Sequence, residues 1–127
     1  METISVHASR DYEVRIGSGL LTRTGELSAP LIKGRHAMIV SDSNVWPLYG
    51  SMVQASLEDA GFQVDHFIFP AGEQSKNTDT LVQLLTCLAQ KGMTRSDGVF
   101  ALGGGVTGDM AGLAASLYLR GIPCVQL

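Results

Sequence analysis

Close to its C-terminal end the chain carries Gly103-Gly104-Gly105-Val106-Thr107-Gly108-Asp109, directly after the apolar run Val99-Phe100-Ala101-Leu102 and before a stretch of small and apolar residues. Glycines let the backbone turn sharply and come close to a ligand, and a helix opening near Val106 would offer free N–H groups and the positive end of its dipole to an anion. This is the chemistry of a phosphate cradle. Gly103, Gly105 and Gly108 also have the Gly-x-Gly-x-x-Gly spacing of a dinucleotide fingerprint in the strand-to-helix context it requires. That fingerprint places an acidic residue about twenty positions later, on the ribose hydroxyls. Here no Asp or Glu follows Asp109, so a ribose carboxylate has to come from an earlier strand end.

Two earlier segments offer one. Asp42 and Asn44 follow the apolar run Ala37-Met38-Ile39-Val40, and in a parallel sheet they emerge on the same edge as the glycine turn, where open α/β sheets bind ligands. They also suit the N-terminal cap of a helix starting near Val45. The strand-like Val64-Asp65-His66-Phe67-Ile68-Phe69 leads into Pro70-Ala71-Gly72-Glu73-Gln74-Ser75-Lys76. A carboxylate and an ammonium three residues apart beside a glycine can bind a sugar hydroxyl and a phosphate together; the same residues also make an ordinary solvated turn ahead of a helix.

The elements that carry these turns alternate. Ile4 to Ala8 and Tyr12 to Ile16 read as strands of a hairpin joined by Ser9-Arg10-Asp11, with Gly17-Ser18-Gly19 ending the second, and a short helix covers Leu20 to Leu27. Strand Ala37 to Val40, helix Val45 to Ala60, strand Val64 to Phe69, helix Thr78 to Gln90, strand Val99 to Leu102, helix Val106 to Leu119 and strand Cys124 to Leu127 follow. Leu81, Leu84, Leu85 and Leu88 share one helix face, and Gly61 and Gly92 stand as C-terminal stops. Such alternation predicts an α/β fold: a Rossmann-like, mainly parallel sheet with helices on both faces, preceded by an N-terminal β-hairpin. The helix from Val106 has Asp109 as its only charge and is apolar all round, the pattern of a helix covered on every side by a further domain or subunit. The sequence stops inside a strand-like run, as a truncated chain would.

Composition sets limits. The 127 residues, 45% of them hydrophobic, suffice for one core, and a net charge of −3 with scattered Lys and Arg gives no basic stripe for nucleic acid. No signal-like start and no membrane-length apolar run is present, which points to a cytoplasmic protein without a membrane partner. Cys87 and Cys124 fit small buried hydrophobes, and His7, His36 and His66 are too scattered for a zinc set. No nucleophile elbow or Cys and His pairing occurs. Trp46 and Tyr49 suit packing.

Three segments together, Ser41-Asp42-Ser43-Asn44, Gly72-Glu73-Gln74-Ser75-Lys76, and Ala101 through Gly121 (ALGGGVTGDMAGLAASLYLRG), resemble 3-dehydroquinate synthase of the sugar phosphate cyclases, with glycerol and iron-dependent alcohol dehydrogenases as more distant kin. The likeness runs along the whole chain. It implies that residues 1–127 are the NAD-binding N-terminal domain of a two-domain enzyme, and that a helical C-terminal domain outside this chain holds a divalent metal, zinc or cobalt. It implies further that the enzyme, a homodimer, converts 3-deoxy-D-arabino-heptulosonate 7-phosphate (DAHP) into 3-dehydroquinate and phosphate in the shikimate route to aromatic amino acids, through a transient NAD-dependent oxidation.

Carried over by position, the resemblance puts Asp42 and Asn44 at the adenosine part of NAD, and Glu73 and Lys76 in the next cofactor loop lined by Gly72, Gln74 and Ser75. Gly104, Gly105, Val106 and Asp109 fall against the pyrophosphate, with Thr107 and Gly108 between them. Asp109 would repel a phosphate unless it faces a donor or a ribose; otherwise it serves the helix dipole. Arg120 matches an arginine for the substrate phosphate, across a dimer interface, or is a solvated helix-end charge. Ala71 and Ser75 depart from the family's common acidic and aromatic residues. Catalytic residues and metal ligands fall outside this chain. Another sugar phosphate cyclase, a polyol dehydrogenase and a non-catalytic nucleotide-binding module are the competing readings, and Gly72-Glu73-Gln74 with Lys76 favours the dehydroquinate branch.

Overall fold

The computed structural model describes residues 2–7, 11–16 and 19–127, and the side chains of 2–5 and 19–127. Strands β1 (Glu2–His7) and β2 (Asp11–Ile16) pair antiparallel, Glu2 opposite Ile16 and His7 opposite Asp11, which makes the expected hairpin a two-stranded sheet of its own. Asp11 lies within β2 rather than in the connection; Ala8, Ser9, Arg10, Gly17 and Ser18 fall outside the described residues. The helix expected over Leu20 to Leu27 divides into a 3-10 turn, Leu20–Arg23, and a short helix α1, Thr24–Ser28.

Strands β3 (His36–Asp42), β4 (Gln63–Phe69), β5 (Gly98–Leu102) and β6 (Cys124–Gln126) form one parallel sheet in the order β4-β3-β5-β6. Helices α2 (Trp46–Asp59), α3 (Thr78–Gln90) and α4 (Gly105–Leu117) connect them. The central strands read as continuous apolar runs because both faces are covered: all five residues of β5 are buried, as are Ala37 to Ser41 of β3. The edge strand β4 is only partly buried.

Two cores result. One face packs Met38, Val40, Val99 and Ala101 against Leu84 and Leu88 of α3 and Ala111, Ala114 and Ala115 of α4. The other packs Ala37, Ile39, Phe100 and Leu102 against Val53 and Leu57 of α2. Leu81 and Leu85 complete the α3 face as expected, and Gly61 and Gly92 end their helices at φ of 95° and 71°, a region that suits glycine. Cys87 and Cys124 pack beside the first core as free thiols whose pKa burial pushes up.

Strand order fixes the functional edge. The connection from β3 moves to one side through α2, and the chain then returns across β3 through α3 to reach β5. The winding direction reverses between β3 and β5, the point at which doubly wound sheets open a crevice beyond their strand ends. Among the described residues no helix is long and apolar enough to cross a membrane.

Candidate dinucleotide site at the switch point

Asp42 is the last residue of β3, and Gly103 follows β5 directly, so the two flank the crevice. Ser41, fully buried, donates from Oγ to the Leu102 carbonyl at 2.7 Å and ties the strands together just below it. Asp42 does two things at once. Its Oδ1 accepts from the backbone of Asn44 at 2.9 Å and of Val45 at 2.8 Å, the capping role, while Oδ2 lies 3.4 Å from the buried Thr107 Oγ1 across the switch point. Asn44 is exposed on the lip.

The turn after β5 is built for close approach. Gly103 sits at φ 157°, and a Cβ there would stand 2.7 Å from Thr107 Oγ1, so this glycine admits Thr107 and not a ligand. At Gly104 and Gly105 a Cβ would meet nothing within 4 Å. Their open side is the space a ligand can take. Helix α4 begins there with no side-chain cap, so the first amides of a helix, which have no intrahelical acceptor, face outward with the positive dipole end behind them. The first intrahelical bond runs from Gly108 N–H to the Gly104 carbonyl at 3.0 Å.

The exit of β4 joins this edge through Ser43, whose N–H donates to the Phe69 carbonyl and whose Oγ accepts from the Ala71 N–H, both at 2.9 Å. Gly72 turns at φ 115° into the 3-10 turn Glu73–Ser75. Ser75 points inward: it is 5% exposed and donates to the Pro70 carbonyl, bracing the loop from within. Gln74 likewise donates to the Ala71 carbonyl, leaving Glu73 and Lys76 exposed.

Lys76 Nζ donates to Asp109 Oδ2 at 2.9 Å, linking the β4 exit to the first turns of α4. The hydrogen bond and the charge of Asp109, aided by Glu73, raise the Lys76 pKa. Asp109 therefore faces a donor, Lys76, one of the two surroundings expected of it. An open cleft lined by Lys76, Asn77, Leu81, Asp109, Met110 and Leu113 adjoins the pair.

Arg120 stands apart from this group. Helix α4 runs away from the glycine turn for 13 residues, about 20 Å at 1.5 Å per residue. The 3-10 turn Tyr118–Arg120 thus lies at the opposite edge, where Pro123 pairs with the start of β5. Leu119 and Arg120 have φ of 48° and 67°, left-handed values that strain non-glycine residues, and both side chains are exposed. The adjacent Gly121 lines a separate cleft with Lys33 and Arg95. On the outer face of α4, Leu113 and Leu117 are 47% and 54% exposed, so within this chain the helix is covered on one side and bare on the other.

Among the described residues no three His, Cys, Asp or Glu side chains come together as a metal site. His36 instead pairs with Asp65 at 2.6 Å, near Lys91, and His66 stacks on Trp46.

Residues 66–127 match the family model described as 3-dehydroquinate synthase N-terminal. The 3-dehydroquinate synthase of Streptococcus suis is 49% identical over 116 residues, 91% of this chain. Over most of its length the chain is thus similar to 3-dehydroquinate synthases. It spans about a third, 33%, of the length of such relatives, among them the 3-dehydroquinate synthase of Streptococcus pneumoniae at 47% identity. A solved 2-deoxy-scyllo-inosose synthase complexed with carbaglucose-6-phosphate, NAD+ and Co2+ superposes with a TM-score of 0.89 at 26% identity, over 99% of this chain and 34% of that one. The 2-epi-5-epi-valiolone synthase of Streptomyces hygroscopicus, with NAD+ and Zn2+ bound, does so with a TM-score of 0.79 at 31% identity, over 97% and 34%.

Ser41 and Ser43 have structural roles that their place in the sequence does not announce. Their hydroxyls depend on which strands lie side by side, and chain order does not state that.

Proposed function

We propose that this chain is the NAD-binding N-terminal domain, residues 1–127, of a 3-dehydroquinate synthase. In this reading the whole protein converts DAHP into 3-dehydroquinate and phosphate in the shikimate route to aromatic amino acids, in the cytoplasm and as a homodimer. The observation that carries it is the meeting of three strand exits around one switch point, with an uncapped helix start and open space at Gly104 and Gly105 between them. The identity to the curated synthases favours this reaction over that of another cyclase or a polyol dehydrogenase.

The residues fit a dinucleotide. The amides at the start of α4 suit its diphosphate, Asp42 Oδ2 can accept from ribose hydroxyls, and Lys76 brings a cation to the same edge. Asn44, Glu73 and Val106 border the adenosine, loop and turn sides, and Thr107, Gly108, Ser75, Gln74 and Gly72 shape the walls. NAD, when bound, supplies reversible hydride transfer, and this chain supplies placement and electrostatics. The divalent metal, zinc or cobalt, has no ligand set among the described residues and belongs in this reading to the remainder of the protein. Arg120, held in a strained turn far from the crevice, serves the substrate phosphate of a neighbouring subunit. The exposed Leu113 and Leu117 are covered by the further domain or the partner.

The test is a pair of assays. The whole protein given NAD, a divalent metal and DAHP should release phosphate and 3-dehydroquinate, whereas this chain alone should bind NAD without turnover. Turnover by the chain alone would contradict the division of labour, and a whole protein inert toward DAHP would contradict the assigned reaction.

A further inference from the structure

Gln126, the last residue of β6, turns its carboxamide onto the opening turns of α4. Its Nε2 donates to the Gly108 carbonyl at 3.2 Å and lies 3.7 Å from Cys124 Sγ. The fit is steric as well: a Cβ on Gly108 would stand 2.7 Å from Gln126 Oε1, and one on Gly112 would stand 3.7 Å from Nε2. The contrast with Gly104 and Gly105, where a Cβ meets nothing, separates two kinds of glycine in one turn. Two leave room outside the fold; Gly108 leaves room for a side chain of the fold.

Helix α4 needs such a hold. Glycine is among the poorest helix formers, and Gly105, Gly108 and Gly112 all fall within its first eight residues, with no side chain capping its start. Amides that are to receive an anion gain from being fixed before it arrives, because a mobile donor loses entropy on binding.

We propose that Gln126 is a positioning residue for the diphosphate part of the dinucleotide site, clamping the first turns of α4 to β6 so that the amides from Gly105 to Thr107 stay aimed outward. Gly108 is then glycine to admit the carboxamide. This rests on the dinucleotide reading above, and the probes are NAD+, ADP and adenosine. Gln126→Leu should weaken NAD+ and ADP roughly tenfold, the effect of one supporting hydrogen bond, and leave adenosine unchanged. Gly108→Ala should weaken the same two ligands by pushing the carboxamide away, and Gly108→Ala combined with Gln126→Ala should cost no more than Gln126→Ala alone, because the clamp is already gone. Hydrogen exchange without ligand should quicken in Q126L at Gly108 to Gly112, the first hydrogen-bonded amides of α4, while the core amides of β3 and β5 keep their protection.

Equal loss for all three ligands, or core amides that lose protection, would make Gln126 a general structural residue and overturn the proposal. Wild-type binding with unaltered affinity in Q126L would overturn it alone. A wild-type chain that binds neither NAD+ nor ADP would overturn the dinucleotide reading and this inference with it.

Discussion

Helices α3 and α4 pack side by side on the same sheet face, yet their starts are opposites. At α3, Asn77 sits in an extended conformation and its side chain accepts from the Thr80 N–H at 2.8 Å, while Asp79 lies in the first turn. At α4, Gly104 takes the cap position, no side chain satisfies the first amides, and no acid lies in the first turn. One helix is closed by its own sequence and needs nothing further. The other leaves donors open where a carboxylate, a lysine and two accessible glycines converge. An uncapped helix end is unfavourable unless water or a ligand completes it, and in the proposed function that ligand is the diphosphate of the dinucleotide.

The largest expected effect comes from filling the open side of that turn. A Cβ at Gly105 meets nothing within 4 Å, so in Gly105→Val the melting temperature should hold while NAD affinity falls roughly a hundredfold or more, about 2.7 kcal/mol; isothermal titration beside a thermal melt measures both. Asp42→Ala acts on both sides of the contrast, since it removes two backbone hydrogen bonds at the entry to α2 and, in the proposed function, the acceptor for the ribose. It should cost ~1–2 kcal/mol in denaturant unfolding and weaken NAD as well. Asn77→Ala should cost about 1 kcal/mol of stability and leave NAD affinity unchanged; a loss of affinity there would break the distinction between the two helices.

The smallest effect concerns the link between them. Asp109 raises the Lys76 pKa, so the pair's contribution is fully present below the ordinary lysine range, near ~10.4, and is lost as pH rises through the higher folded value. Both groups are exposed and screened by salt. Asp109→Asn should therefore return the Lys76 pKa toward its ordinary value in an NMR titration with no change in fold, and an unmoved value would remove the pair.

Much of this was readable in the sequence, for physical reasons that differ by element. Helix α3 showed its bounds because Leu81, Leu84, Leu85 and Leu88 keep helical spacing and Gly92 stops it, and the expected span, Thr78 to Gln90, is the observed one. The strands were legible as apolar runs, although β3 extends through Asp42 because Asp42 pairs with Phe69 of β4. Helix α4 was expected to reach Leu119 but ends at Leu117, since Leu119 turns left-handed, a conformation that nothing in a leucine announces. At the site, the types of Asp42, Lys76 and the glycines pointed to a dinucleotide. The contacts of Asp42 with Thr107, of Lys76 with Asp109 and of Gln126 with Gly108 required knowing the whole strand order, β4-β3-β5-β6.

Amide hydrogen exchange of the chain with and without NAD tests the central claim most directly. Protection should rise at Gly104 to Thr107, with smaller gains at Asp42 to Asn44 and Gly72 to Lys76, and should stay constant at Asn77 to Thr80. Protection gained instead around Lys33, Arg95 and Gly121, at the other end of the sheet, would contradict it.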